Sequence, residues 1–495
     1  MYKFFKKNWE ILLQVFFVVL LLLISSFLRF RSIDKLTIFQ YDQARDALYI
    51  KRLLVDHKFR IIGPQSSSGL YYGPAYYYLM APFLLLSELN PSGLDFGVAV
   101  FGVISVVLLY VLLKKITENS LISFTACLLY ATQPVVVYQS RYSWNPNITP
   151  FFSILFFLGL DYCRKKQNIG WLFSFVGLGF LLNLHYPAFC LLPVIIFFMW
   201  KYKQSLRSRW FLISAIIFLF LISPFIAMEI RHNFLNLQAT YNILKVGPQA
   251  DLPPPPFVVG IWQKVKTLLV GIPLTTDNLF ISIVAAAMIL ILLICFFVKR
   301  NDFKEKIFPV FLSLFFLCLI GSFFKGSYFS YYLTFLYPIG FLILSLILTN
   351  VFERQGRAFY VIFLLSFFII RKNILADFNL FKQNSTLDNL LNVSAIIESD
   401  IKTGDVFNLV GVRGGDRFDH NAVDYRYFLE TFYNKRSKDW DVLDYQESKN
   451  LYLVDTLGGI DPINTNIWEV KLFKPKKIVN RWTASDGTII YKLVN

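Results

Sequence analysis

Long apolar runs broken by short polar stretches set the pattern of this chain. Ile11–Leu28, Phe96–Leu113, Leu121–Tyr138, Ile148–Tyr162, Trp171–Leu184 and Ala188–Trp200 follow one another, and Phe211–Met228, Ile281–Val298, Ile307–Phe323, Tyr332–Leu348 and Phe359–Ile370 continue the series. Measured against the ~20 apolar residues that span a bilayer, they predict about eleven crossings. Pro74–Leu86 is apolar and Tyr-rich but too short to cross, and reads as a re-entrant or interfacial helix. From residue 373 the pattern changes. Val406–Val412, Asn450–Val454 and Thr488–Val494 read as short strands, the last after an Asp-Gly turn, and Asn421–Tyr433 as a helix. The expected fold class is therefore a polytopic α-helical membrane protein with a small C-terminal α/β or α+β domain. Residues 1–372 hold the spans and a first outer loop at 29–95; residues 373–495 form the soluble domain.

Composition agrees: of 495 residues 56% are hydrophobic, with 53 Phe and 27 Tyr, and the mean hydropathy is +0.52. The net charge of +17 changes the picture only in its placement. Lys3/Lys6/Lys7, Lys114/Lys115, Arg164/Lys165/Lys166, Lys201/Lys203/Arg207/Arg209, Lys299/Arg300/Lys304/Lys306 and Arg354/Arg357 flank apolar runs. That is the positive-inside signature, and it sets topology; nucleic-acid binding is not expected. It leaves the N-terminus inside as a retained helix and the first loop outside, although that loop is itself basic. The C-terminus also falls outside. Cys127, Cys163, Cys190, Cys295 and Cys318 all lie in or beside apolar runs, so neither a disulfide framework nor a structural zinc site is expected.

The chemistry-bearing stretch is Gln40-Tyr41-Asp42-Gln43-Ala44-Arg45-Asp46-Ala47. Wound as a helix from Asp42 to Asp56, it puts Asp42, Arg45, Asp46, Arg52 and Asp56 on one face. Ala44, Ala47, Leu48, Leu54 and Val55 take the other, which suits a helix lying along a membrane surface with its charges turned from lipid. Asp42 and Asp46 are neighbours at i and i+4 and repel; Arg45, a metal or a phosphate-bearing ligand would offset that. Two roles for Asp42 stand side by side: helix N-cap, or general base or metal ligand at the mouth of a membrane cavity. The same topology puts Tyr71 to Pro74, Arg141 to Pro146, His185-Tyr186, Glu229, Arg231, His232, Lys325, Tyr328, Tyr331 and Tyr332 on the outer side. Taken singly, each has a bland explanation as an interfacial aromatic or a snorkelling cation. Taken with the acidic pair, they describe a base among several cations.

Tyr-Asp-Gln-Ala-Arg-Asp-Ala after the first span resembles the Asp-Glu-Ala-Arg type motif of GT-C membrane glycosyltransferases. Glycosyltransferase family 39 and its relatives, which include protein O-mannosyltransferases and aminoarabinose transferases, are the nearest group. Tyr72 to Tyr78, Ser140–Pro146, His185-Tyr186 and Tyr331–Pro338 are similar to segments of bacterial members, and the likeness runs over roughly residues 1–370. The resemblance implies a polyprenyl-phosphate-linked sugar as donor, a glycan, lipid or protein acceptor, and a bacterial plasma-membrane protein with its active site outside. It implies Asp42 as catalytic base and Arg45 as a ligand of the donor phosphate. Gln43 stands where many relatives have Glu, so one carboxylate is lost; Asp46 is the candidate to replace it. No metal ligand set is expected, and a divalent metal is left as an option.

An acceptor hydroxyl must shed a proton as it attacks the anomeric carbon, which suits a carboxylate base. The departing lipid phosphate gains charge, which suits cations in a site shielded from water. Candidate phosphate ligands are Arg45, Arg141, His185, Arg231 and Lys325; candidate substrate-binding residues are Tyr72, Asn145, Tyr186, His232 and Tyr331. One displacement on one base implies inversion. The alternative is a transporter or flippase of lipid-linked saccharides, which would call for ionisable residues in mid-span; a sensory or assembly role leaves the acidic helix unexplained. The Trp-Trp-Asp-Tyr-Gly motif of oligosaccharyltransferases is absent from the C-terminal region.

Overall fold

The computed structural model describes residues 2–66, 69–246, 301–322, 330–354, 366–375, 387–413 and 420–495. The spans expected at Ile281–Val298 and over most of Phe359–Ile370, the run Pro253–Pro256, and residues Lys325 and Tyr328 lie outside these.

The chain begins with α1 (Tyr2–Phe30), α2 (Tyr41–Leu54), α3 (Ala75–Leu86), α4 (Ser92–Thr117) and α5 (Ser120–Ala131). Then come α6 (Pro134–Gln139), α7 (Thr149–Arg164), α8 (Gly170–Leu184), α9 (Leu192–Lys201), α10 (Arg209–Arg231) and α11 (Leu235–Val246). Further helices cover Asn301–Ser322 and Tyr337–Arg354. Among the described residues, Asn8–Phe30, Ser92–Thr117, Arg209–Arg231 and Tyr331–Thr349 are long and apolar enough to cross a membrane. Three expected spans are interrupted among the described residues, Tyr332–Leu348 by a 3-10 turn, Ser330–Leu336, before the Tyr337–Arg354 helix. Leu121–Tyr138 divides into α5 and α6 because Pro134 occupies the first turn of α6 and cannot continue the helix before it. Ala188–Trp200 begins as a 3-10 turn, Tyr186–Leu191, before α9.

Two compact units emerge. The first comprises Met1–Ile33, Phe59–Met80 and Asp95–Lys382; the second comprises Asp34–Lys58, Ala81–Leu94 and Gln383–Asn495. The second unit is thus more than a C-terminal tail: it takes in α2.

In the first unit α7 and α8 pack backbone to backbone because small residues line their contact. A Cβ on Gly177 would sit 2.7 Å from the Phe152 carbonyl oxygen, so nothing larger than glycine lets the helices approach this closely. Such packing suits a lipid-embedded bundle, where helices gain little from the hydrophobic effect and much from close contact.

The second unit is built on a four-stranded sheet in the order β1-β2-β4-β3, with β1 (Phe407–Val412), β2 (Asn450–Asp455), β3 (Lys477–Thr483) and β4 (Ile489–Val494). β1 and β2 run parallel, joined through the Val423–Phe432 and Val442–Gln446 helices, and β2–β4 and β4–β3 are antiparallel. Val410, Leu451, Leu453 and Leu493 form its core with Tyr445, Val470 and Phe473. Asp400, at the end of the Leu387–Asp400 helix, accepts Lys492 Nζ at 2.6 Å and Tyr452 O–H at 2.6 Å. Partial burial works against its charge, but these hydrogen bonds hold the carboxyl below its ordinary value of 3.8. A depressed carboxyl stabilises the fold fully above that value and loses its contribution as pH falls through the lowered one. The melting midpoint of the second unit should therefore begin to drop as pH falls below about 5, and Asp400→Asn should remove part of the drop. Pulse proteolysis of the full chain with an acid-active protease, with cleavage mapped to residues 387–495, measures this.

Candidate active site

The first turn of α2 carries the acidic pair. Gln40 has extended backbone and is the N-cap, without a side-chain cap bond, so Asp42 is not the cap; it lies within the first turn. There an acidic side chain meets the positive end of the helix dipole. Arg45 lies between the two carboxylates. Its Nη1 donates to Asp42 Oδ1 at 2.9 Å, and its Nε donates to Asp46 Oδ1 at 3.0 Å, with Nη2 2.9 Å from the same oxygen. The repulsion expected at i and i+4 is answered by the chain's own guanidinium. Exposure separates the two acids: the Asp42 side chain keeps 22% of its surface and that of Asp46 only 1%. Asp42 is the more accessible of the two carboxylates.

The rest of α2 differs from an amphipathic surface helix. Ala44, Ala47 and Leu48, expected to face lipid, are buried within the protein, and so are Lys51 and Arg52, the latter expected on the polar face, while Val55 is 51% exposed. Lys51 and Arg52 turn to the Val423–Phe432 helix of the same unit. Lys51 Nζ donates to Glu430 Oε1 at 3.0 Å, and Arg52 Nη2 to Glu430 Oε2 at 2.8 Å and to Asp439 Oδ1 at 2.9 Å. Burial works against the charge of Arg52, but Glu430 and Asp439 outweigh it and raise the guanidinium further. Burial would raise Glu430, yet hydrogen bonds and charge from Arg52 and Lys51 hold it below its ordinary range. This cluster escaped sequence reading.

The other candidates belong to the first unit. Tyr72 is presented by a tight strand-like return, Gly63 N–H donating to the Tyr72 carbonyl at 2.9 Å and Tyr72 N–H to the Pro64 carbonyl at 3.0 Å. A side chain on Gly63 would collide with the backbone of Gly73. The Tyr72 ring lies 4.8 Å from that of Tyr186 and 6.3 Å from that of His185. The rings of Tyr331 and Tyr332 lie 6.3 Å and 6.2 Å from that of His185, and Trp144 packs on Tyr331 at 4.5 Å. Asn145 Nδ2 donates to the Leu184 carbonyl at 2.6 Å, pinning the end of α8 from which His185 emerges. Tyr186 O–H donates to the Tyr71 carbonyl. Four expected substrate contacts (Tyr72, Asn145, Tyr186 and Tyr331) are thus gathered around one histidine. That histidine is fully buried, and neither ring nitrogen has a well-aligned hydrogen-bond partner among the described residues, although the backbone of Tyr331 and Tyr332 runs close by. Burial drives the imidazole down, so at neutral pH it is uncharged. An uncharged ring does not supply the positive charge expected of a phosphate-binding cation.

Arg141 is occupied: Nη1 donates to the Leu28 and Arg29 carbonyls at 2.9 and 2.7 Å and Nη2 to that of Arg31 at 2.7 Å. It ties down the end of α1, where helix carbonyls lack intrahelical partners. Arg231 and His232 end α10; His232 Nδ1 lies 2.9 Å from the Met228 carbonyl, and Arg231 is exposed. Glu229 accepts the backbone N–H groups of Asn236 and Leu237 at 3.2 and 3.3 Å, and so fixes the turn into α11. Lys325 is outside the described residues. Sequence reading also missed Asp95, a buried acid at the start of α4 that accepts Ser143 N–H at 2.7 Å. An acid beside a long apolar run was the available signal. Among the described residues no three His, Cys, Asp or Glu side chains come together as a metal cluster.

The model of the dolichyl-phosphate-mannose-protein mannosyltransferase family matches residues 72–228. In structure the chain is similar to ArnT from Cupriavidus metallidurans bound to undecaprenyl phosphate, with 8% identity, a TM-score of 0.57, and 98% of each chain covered. The apo form of that protein aligns over the same 98% of each chain, at 10% identity and a TM-score of 0.50. The oligosaccharyltransferase of Archaeoglobus fulgidus, in complex with Zn and sulfate, aligns at 13% identity and a TM-score of 0.56, over 89% of this chain and 67% of that one. No curated protein matches. At these identities the fold is what is shared: a helical GT-C-like membrane fold, as the resemblance in sequence implied, here with a small sheet at the C-terminus.

Proposed function

We propose that this integral membrane protein is a glycosyltransferase that moves a hexosyl or pentosyl group from a polyprenyl-phosphate carrier to an acceptor hydroxyl on the extracytoplasmic face. The observation that carries the reading is the first turn of α2, where an accessible carboxylate is held by an arginine that a second, buried carboxylate holds in turn. Asp42 takes the proton of the acceptor hydroxyl as its oxygen bonds to the anomeric carbon. The bond from that carbon to the phosphate oxygen breaks on the opposite side, and the polyprenyl phosphate leaves with the bonding pair. Arg45 keeps the carboxylate aimed, a task for which a planar guanidinium with several fixed donors is suited. Asp46 is the inner anchor of Arg45. We give Arg141 no phosphate role, because its terminal nitrogens already donate to the end of α1.

The family match to mannosyltransferases and the fold shared with a protein that binds undecaprenyl phosphate support the donor class. The basic clusters at the ends of apolar runs support the sidedness. The transporter reading gains nothing from the acids near span ends: Asp161 pairs with Arg164 at 2.8 Å, and Asp95 holds Ser143.

Membranes holding the chain should release sugar from radiolabelled undecaprenyl-phosphate donors (mannose, glucose, galactose, aminoarabinose), and one of these should give a transferred product with the anomeric configuration inverted. NMR of the product checks this. Retention of configuration would exclude a single displacement on Asp42; no consumption of any donor would exclude the transferase reading for this donor class.

A further inference from the structure

We propose that Glu430 is a positioning residue for this transfer: from the soluble sheet domain it locks the last turn of α2, and thereby sets the aim of Asp42 in the first turn. The inference rests on the assignment of Asp42 as base.

The cluster around Glu430 is balanced and confined to the second unit. Lys51, Arg52 and Arg436 face Glu430, Asp439 and Asp56, three cations with three acids. Beyond the bonds already described, Lys51 Nζ lies 3.5 Å from Asp56 Oδ1, and Arg436 Nη1 lies 3.7 Å from Asp56 Oδ2. Glu430 is the hub, because its two oxygens take both buried cations of α2. The side chains of Lys51, Arg52 and Glu430 keep 9%, 7% and 6% of their surface. Charges this deep are tolerable only while paired, and removing Glu430 leaves two cations at one helix end short of a partner: Arg52 keeps Asp439 at 2.9 Å and Lys51 keeps Asp56 at 3.5 Å, so three cations face two acids. They can regain water only if that end of α2 moves.

A rigid helix transmits such a movement. Arg52 is seven residues beyond Arg45, two turns along the same face, and Arg45 is the residue that holds Asp42. A rotation at the last turn is therefore a rotation of the catalytic stripe. The opposite end is held more lightly by the same domain: Asn421 Nδ2 donates to Tyr41 O–H at 3.3 Å, and the Phe39 ring packs 5.3 Å from that of Tyr427. The sheet domain in this picture is the mount of the base.

The test uses the full chain in nanodiscs with the undecaprenyl-phosphate sugar that the wild type consumes. Glu430→Gln should lower kcat by about 10²-fold, the scale of a 1 Å misplacement, while donor KM stays within about threefold. Glu430→Gln combined with Lys51→Met removes one charge of each sign, and should restore kcat to within about threefold of wild type. A packing role alone would not be rescued by deleting a second side chain. Wild-type kcat in Glu430→Gln, or a folded double variant as slow as the single, would overturn the proposal. If Glu430→Gln does not accumulate, the charge-balanced double variant decides alone by the same criterion. Asp42→Asn is run in parallel. If Asp42→Asn is inactive while Glu430→Gln is unaffected, the positioning role falls and the base stands. If Asp42→Asn remains active, both fall.

Discussion

Asp42→Asn is expected to lower the rate of sugar transfer by about 10²–10⁴-fold, the usual contribution of a general base, with little change in donor KM. The amide is close to isosteric and its oxygen can still accept from Arg45 Nη1, which now lies 2.9 Å from Asp42 Oδ1. The helix therefore keeps its shape while the proton acceptor is lost. The matching change at Asp46 should behave differently. That side chain is only 1% exposed and takes both Nε and Nη2 of Arg45. Asp46→Asn should loosen the arginine and lower stability before it touches chemistry. Rates at saturating and sub-saturating donor, beside the melting midpoint of each variant, separate the two. Turnover in Asp42→Asn at the wild-type rate would reduce Asp42 to a first-turn acid that favours the helix dipole, and would place the base elsewhere.

The sequence made α2 legible because helical periodicity is local: expected from Asp42 to Asp56, it runs Tyr41–Leu54. The function of its charges was only half legible. Arg45 and its two acids are within one turn of each other, so spacing alone pairs them. The sequence places Arg52 with the charges turned from lipid and gives Lys51 no face, because their partner, Glu430, lies almost four hundred residues downstream. No periodicity reports such a contact. The strands show a similar division. β1, β2 and β4 are apolar runs and were readable. β3, Lys477–Thr483, lies at the sheet edge with nearly all of its residues exposed, and its mix of Lys, Asn and Arg hides it as edge strands commonly are hidden. Arg141 and His185 were found as notable residues, but the backbone carbonyls around the first and the burial of the second were not legible. A sequence shows that a cation or an imidazole is present; burial and the carbonyls around it decide what it does.

Arg426→Met should be strongly destabilising to the second unit, by about 3 kcal/mol, the scale of leaving buried acceptors of one network without their donor. Arg426 is 2% exposed and meets no carboxylate directly; oxygens of neutral groups solvate it. Nε donates to the Asn421 carbonyl at 2.6 Å, Nη1 to Ser437 Oγ at 2.8 Å and to the Lys438 carbonyl, and Nη2 to Asn408 Oδ1 at 2.5 Å and the Leu409 carbonyl at 2.9 Å. Burial pushes the guanidinium below its ordinary range, yet the group stays charged, because its starting value is so high. Methionine fills much of the volume and offers no donor. Asn408 Oδ1 keeps the Leu409 N–H and the Leu409 carbonyl keeps the Tyr445 O–H, but the Asn421 carbonyl loses the Nε donor, and each buried acceptor left unpaired costs about 1–3 kcal/mol before relaxation. A fall of about 10 °C or more in the melting midpoint of residues 387–495 follows from that magnitude, measurable by pulse proteolysis of the full chain. The loss should also reach the catalytic helix. Arg426 fixes the carbonyl of Asn421, and the amide of Asn421 donates to Tyr41 at the start of α2. In membranes cool enough for the sheet to stay folded, Arg426→Met should therefore slow transfer less than Glu430→Gln does. It disturbs the lighter hold on the helix and leaves the Lys51–Arg52–Glu430 lock in place. A chain with wild-type melting after Arg426→Met would mean that its acceptors regain partners by local collapse, and that the loop carrying Asn421 is not built on this arginine.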